Sequence, residues 1–140
     1  MRYWDASAIL PLLTQEKETK RRQGHLEEDP QMVTWWGTKV ECVSALSRLL
    51  REGKLDDEAY EQLLQDLQVL SSGWIEIQPA EKVRQRALRL LRLHPLRAGD
   101  AFQLAAALIG SEESPPTLPF VCGDPRLAGA ARKEGFPLLA

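Results

Sequence analysis

Cysteine and histidine are both scarce in this chain, with two of each in 140 residues. Cys42 and Cys122 lie far apart in apolar surroundings, which excludes a CxxC redox pair and a zinc site. They are expected to be buried free thiols in a reducing compartment. His25 sits in a charged segment and His94 precedes a proline, so a ribonuclease built on paired histidines has nothing to draw on. No stretch reaches the roughly 18 uninterrupted apolar residues of a membrane span. The opening Met1-Arg2-Tyr3-Trp4-Asp5 also lacks the apolar run of a signal peptide, and the expectation is a cytoplasmic protein with no membrane contact. The sequence contains no G-x-S-x-G elbow, P-loop or G-x-G-x-x-G, which removes motif support for a serine hydrolase, a P-loop NTPase or a dinucleotide enzyme. Charge of one sign is lacking too. Eighteen Lys and Arg against 20 Asp and Glu leave a net charge of −2, too balanced to grip a polyanion with the whole surface, though local basic patches remain open.

What is present is an ordinary globular composition, 44% apolar and 27% charged, at a length that fits one domain over residues 1–140. Short apolar runs alternate with longer helical patterns. Strands are expected at Tyr3-Trp4, Met32-Val33-Thr34, Trp74-Ile75-Glu76-Ile77, Phe120-Val121-Cys122 and Pro137-Leu138-Leu139. Between them, helices are expected from Ala6 or Ala8 to Leu13, shortened or kinked by Pro11, and as a solvated segment between Gln15 and Asp29. Others are expected over 38–51, from Asp56 to about Ser71, over 80–94, over 98–109 and over 125–134. The helix over 98–109 is nearly all apolar and is expected to be central. Alternation with few hairpin signals implies an α/β fold with a mostly parallel sheet covered on both faces. Functional groups in such sheets gather at the carboxyl ends of the strands.

Four acids stand where core burial alone would not put them: Asp5, Glu41, Asp100 and Asp124, each at a strand exit or early in a helix. Each has a plain explanation. Asp5 and Asp124 suit helix N-caps, Asp100 with Gln103 has capping-box spacing, and Glu41 has Arg48 on its own helical stripe as a salt-bridge partner. Capping explains each acid singly but does not predict that all four converge. If they converge, carboxylates at close range require a cation or raised pKa values. The cation suited to such an oxygen-rich set is Mg²⁺ or Mn²⁺.

Four segments then resemble the motifs of PIN-domain nucleases, above all the VapC-type toxins of prokaryotic toxin–antitoxin pairs. They are Trp4-Asp5-Ala6-Ser7-Ala8, Val40-Glu41-Cys42-Val43-Ser44-Ala45-Leu46, Leu96-Arg97-Ala98-Gly99-Asp100-Ala101-Phe102-Gln103-Leu104-Ala105 and Val121-Cys122-Gly123-Asp124-Pro125-Arg126-Leu127. They occur in order and span essentially the whole chain. The resemblance implies a three-layer α/β/α fold and a Mg²⁺- or Mn²⁺-dependent endoribonuclease. Asp5, Glu41, Asp100 and Asp124 would form its catalytic and metal-binding set, and Ser7 would be a hydroxyl at the site's edge. It further implies a cognate antitoxin that places a basic side chain among the acids, and a homodimer. Many relatives carry Ser or Thr two residues before the last acid, where this chain has Cys122. A thiol donates weakly, and Gly123 beside it is expected to leave the turn mobile.

Arg97 and Arg126 near the acids, and the stripe Lys82, Arg86 and Arg89, are candidate phosphate contacts, although a solvated helix face explains the stripe as well. Trp35-Trp36 suit either base stacking or packing, and Leu63, Leu67 and Leu70 either a partner groove or the core. Three other functions fit the pattern: an inactive PIN-like protein-binding module, a nuclease for structured DNA, and a Mg²⁺-binding receiver domain. The last would need a lysine near the acids, and Lys133 is poorly placed for it.

Overall fold

The computed structural model describes residues 1–140. Five strands, β1 (Arg2–Trp4), β2 (Met32–Trp35), β3 (Ile75–Ile77), β4 (Phe120–Val121) and β5 (Leu138–Leu139), form one sheet in the order β3-β2-β1-β4-β5. Every pairing is parallel, with Tyr3 opposite both Val33 and Phe120, and Val121 opposite Leu139. The helices are α1 (Ala6–Leu13), α2 (Thr19–Glu28), α3 (Thr38–Arg51), α4 (Asp57–Ser71), α5 (Glu81–Leu93), α6 (Ala98–Gly110) and α7 (Pro125–Lys133). A single 3-10 turn at Pro115–Thr117 interrupts the loop before β4.

Strand alternation divides the core in two. Tyr3, Val33, Trp35 and Phe120 face α5, α6 and α7, whereas their neighbours Trp4, Met32 and Val121 face α1, α3 and α4. β1 and β4 are therefore apolar on both sides and read as short continuous runs, whereas the edge strand β3 alternates as Ile75-Glu76-Ile77. Ala101, Leu104, Ala105, Ala106, Ala107 and Leu108 bury α6 as expected of its composition. Small residues on that helix let it lie close to the sheet and to α5.

Most element boundaries agree with the sequence reading, and the differences have physical causes. Cys122 and Pro137 fall just outside the strands, because β4 and β5 pair over only two residues each. Trp74 lies before β3, packed against the α1–α4 side of the core. The second helix is not simply solvated. Thr19 and Arg22 are buried, Arg22 to 2% exposure, although the helix has almost no apolar residues. Leu91, expected on the inner arc of α5, is 40% exposed, while Val83, Ala87 and Leu90 carry the packing.

The strand order decides where a site can form. From β1 the chain moves toward β2 and β3, and from β4 it moves the other way to β5. The carboxyl ends of β1 and β4 therefore flank a topological switch point, where crossovers diverge and leave a crevice. Asp5 leaves β1 and Asp124 follows β4. The same order removes one of the functions considered above, since a receiver domain has the order 2-1-3-4-5. Lys133 is exposed at the far end of α7.

Candidate active site

Each of the four acids lies at a helix N-terminus, so the positive ends of α1, α3, α6 and α7 all support negative charge in one region. Asp5 caps α1, accepting from the Ser7 backbone N–H at 3.1 Å, and is 4% exposed. Asp124 caps α7, accepting from the Arg126 N–H at 2.9 Å. Glu41 lies in the first turn of α3 and Asp100 in the first turn of α6. For Asp5 and Asp124 capping and a place at the crevice are therefore not rivals, because the capped helix start is what positions the carboxylate.

Three of the carboxylates are raised above their ordinary values, by burial first and by neighbouring carboxylates second. Burial pushes Asp5 up to about 6, against hydrogen bonds from Ser7, and the charge of Asp124 adds to the rise. Burial likewise pushes Glu41 to about 7, opposed by a hydrogen bond from Gln103 and reinforced by Asp5 and Asp100. Asp100 is raised by burial first and by Asp124, against the Arg97 backbone N–H and the charges of Arg126 and Arg97, which lower it. None of the six ion pairs in the molecule includes any of the four. The expected Glu41–Arg48 pair is among those that do not form. Glu41, Asp100 and Asp124 line a polar groove of about 680 Å³ together with Arg97, Gly99 and Arg126, and the two arginines stand exposed on its rim. No three Asp, Glu, His or Cys side chains are close enough together to chelate an ion between them.

Ser7 bolts two loops together. Its hydroxyl donates to the Asp5 carboxylate, 2.8 Å from the nearer oxygen, and its oxygen accepts the Gly123 N–H at 2.9 Å. The turn at Gly123, expected from glycine to be mobile, is tied to α1 by this bond. A Cβ at 123 would lie 3.4 Å from both Arg22 Nη2 and the Ser7 carbonyl oxygen, at van der Waals contact with each. Cys122 donates to the Asp124 backbone carbonyl across 3.4 Å, so it holds the backbone of that residue rather than its carboxylate. Both cysteines are free and buried, with Cys42 pushed by burial up to about 12 and Cys122 well above the ordinary thiol range.

Gln103 does not complete a capping box with Asp100, since the N-cap of α6 is Arg97. It is buried at 1% exposure and links three elements. Its Oε1 accepts from the Tyr3 hydroxyl at 2.6 Å, while its Nε2 donates to Thr38 Oγ1 at 2.9 Å and to Glu41 Oε1 at 3.2 Å. Tyr3, Thr38 and Gln103 are thus positioning groups that the sequence reading missed. A lone amide in an otherwise apolar buried helix was the available signal. Gln103→Leu should destabilise the fold by about 2 kcal/mol or more, because the buried Tyr3 and Thr38 hydroxyls lose their partner. The loss in the Tyr3→Phe, Gln103→Leu double variant should be smaller than the sum of the single losses, as read from urea melts.

Other candidates divide. Trp35 is core, stacked on Phe102 with centroids 5.3 Å apart, whereas Trp36 is 52% exposed. Leu67 is core at 1% exposure, Leu70 packs against the core, and only Leu63 stays on the margin. On the basic stripe, Arg86 is engaged by Glu113 through two hydrogen bonds, which leaves Lys82 and Arg89 without salt-bridge partners.

No protein-family model matches the sequence, and no curated protein is similar to it in sequence. Solved structures are similar in fold. One is a toxin–antitoxin complex from Klebsiella pneumoniae, with TM-score 0.69 and 17% identity, covering 100% of this chain and 97% of that one. Another is PAE2754 from Pyrobaculum aerophilum, with TM-score 0.69 and 19% identity over 99% of this chain and 83% of that one. A third is FitAcB from Neisseria gonorrhoeae, with TM-score 0.69 and 16% identity over 100% and 97%. Identities this low speak for the fold alone: three layers, α/β/α, around an all-parallel five-stranded sheet.

Proposed function

We propose that this protein is a Mg²⁺- or Mn²⁺-dependent endoribonuclease that serves as the toxin of a toxin–antitoxin pair. The observation that carries the reading is the cluster of Asp5, Glu41, Asp100 and Asp124: burial first and neighbouring carboxylates second raise Asp5, Glu41 and Asp100, and no ion pair includes any of the four. Such a set holds unspent negative charge at neutral pH, and an all-oxygen donor set suits a hard divalent ion. The wide spacing is compatible with Mg²⁺, which keeps several waters and takes only one or two carboxylates directly.

In this reading Asp5 and Asp100 are the direct ligands, and Asp124 assists from the opposite lip of the crevice. A bound ion supplies charge neutralisation at the phosphodiester oxygens and a lowered pKa for the attacking water. Glu41 Oε1 is held by Gln103, which leaves Oε2 as the atom that would orient an attacking water and hold its proton. Ser7 fixes the orientation of the Asp5 carboxylate. Arg97 and Arg126, on the groove rim, hold the flanking phosphates. The antitoxin and the second protomer belong to the same proposal. Val40 on α3, 68% exposed, and Val69 on α4, 75% exposed, offer apolar surface for such contacts.

Cleavage of single-stranded RNA, structured RNA and flap DNA, each with EDTA and with Mn²⁺, tests the chemistry. The expected result is metal-dependent cutting of RNA. Cutting of flap DNA alone would favour the structured-DNA nuclease, and no cutting of any substrate would favour a binding module. Growth arrest on expression, relieved by co-expressing a neighbouring small open reading frame, is the expected result for the toxin assignment. A monomer that leaves growth unaffected with and without that neighbour contradicts it.

A further inference from the structure

Arg22 is a buried cation without a carboxylate partner. It lies in the middle of α2 at 2% exposure, and no ion pair includes it. Its Nη1 donates to the Leu139 carbonyl at 3.4 Å and its Nη2 to the Cys122 carbonyl at 3.5 Å, while Nε has no hydrogen-bond partner in the protein. A guanidinium carries five N–H donors in a rigid fork, so two long bonds to neutral carbonyls leave it poorly satisfied. Burying it is unfavourable, and a hydrophobic side chain of similar volume would cost less if packing were its whole role.

The two carbonyls it reaches indicate what else it does. Cys122 links β4 to the turn that carries Asp124, and Leu139 ends β5, so the guanidinium spans the two strands at their carboxyl ends. Its Nη2 also packs directly against the turn, 3.4 Å from where a Cβ on Gly123 would stand. The same turn is also held by Ser7, whose hydroxyl accepts from the Gly123 N–H and donates to Asp5. Burial lowers the guanidinium's pKa, and the charges of Glu18 and Asp5 act in the opposite direction to keep it ionised.

We propose that Arg22 is a positioning residue for the site: from behind the sheet edge it clamps the Cys122-Gly123-Asp124 turn onto β5. The clamp keeps Asp124 in register with Asp5, and the buried charge offsets part of the acids' repulsion. Its catalytic consequence rests on the nuclease reading, whereas its effect on the turn does not.

Arg22→Met keeps the bulk and removes both donors and charge, and Arg22→Lys keeps the charge but not the two-carbonyl span. Two measurements on the full chain decide the matter. The first is amide hydrogen exchange at Gly123 and Arg126, whose N–H groups bond to Ser7 and Asp124. In Arg22→Met these amides should exchange about tenfold faster or more, with the interior of α6 unchanged, and Arg22→Lys should fall between. Should Arg22→Met fail to fold, Arg22→Lys carries the same comparison. The second is a cleavage cycle with Asp124→Asn. Arg22→Met should lower cleavage by about 10- to 100-fold in the wild-type background, as loss of an orienting partner does, and by less than about twofold once Asp124 is already Asn.

Faster exchange spread evenly over the whole chain, or an equal loss of cleavage in both backgrounds, would overturn the proposal in favour of simple packing. If the wild-type protein cuts no nucleic acid, the nuclease reading fails by itself and the exchange measurement still decides the role of Arg22.

Discussion

Asp5→Asn and Asp100→Asn should each lower metal-dependent RNA cleavage by about 100-fold or more while leaving the far-ultraviolet circular dichroism native. The size follows from what removing one preorganised electrostatic group costs in other active sites, about 10²–10³ in rate. The fold should survive for local reasons. Asparagine caps a helix about as well as aspartate, so α1 keeps its bond from the Ser7 N–H, and the Ser7 hydroxyl still finds an acceptor. At Asp100 the amide keeps the volume in the first turn of α6. Both variants must be purified alongside the wild type, since a co-purifying nuclease would mask the loss. Full activity in both would remove the acids from the chemistry and the proposed function with them.

In the absence of metal, stability should fall as pH rises from about 4 to about 7. The sign follows from the direction of the shifts. Asp5 and Glu41 have folded-state values near 6 and 7, above their unfolded values of 3.8 and 4.5. Between the unfolded and folded values the native chain holds more protons, so raising the pH favours unfolding, and the loss levels off above about 7. For the buried Asp5 alone the loss is on the order of 3 kcal/mol across the window, each pKa unit being about 1.4 kcal/mol. A divalent ion should reverse it. At about 100 times its dissociation constant the gain is about 2.7 kcal/mol, which for a domain of this size corresponds to a rise in Tm of roughly 10 °C. Asp100→Asn should raise the metal-free Tm at pH 7 and blunt the response to Mn²⁺. Thermal melts of both proteins across pH, with EDTA and with Mn²⁺, provide the check. Identical wild-type curves with and without metal would mean that the acids bind no ion.

The chain's local grammar is easy to read where one residue decides one feature. Gly53 stops α3 at a positive φ of 74°, Asp56 caps α4 through the Ala59 N–H, and Asp124-Pro125 opens α7. The four acids were legible for the same reason, since each breaks an apolar pattern at a strand exit or a helix start. The supporting groups were harder to see. Gln103 carried a weak signal, an amide in a buried helix, but its spacing from Asp100 pointed to a cap. Arg22 carried none, because a charged residue in a charged segment looks like solvent-facing surface.

The sequence by itself determined the α/β class, the parallel sheet, the order of the elements and the identity of the acidic residues. Those features depend on short-range periodicity, capping and turn chemistry, which act over a few residues. Tertiary structure alone decided the strand order that brings the exits of β1 and β4 together at a switch point. It also decided the raised values of Asp5 and Glu41, the Tyr3–Gln103–Thr38 network and the burial of Arg22 behind the turn. These depend on which distant groups share a low-dielectric space, and proximity of that kind arises only when the layers pack.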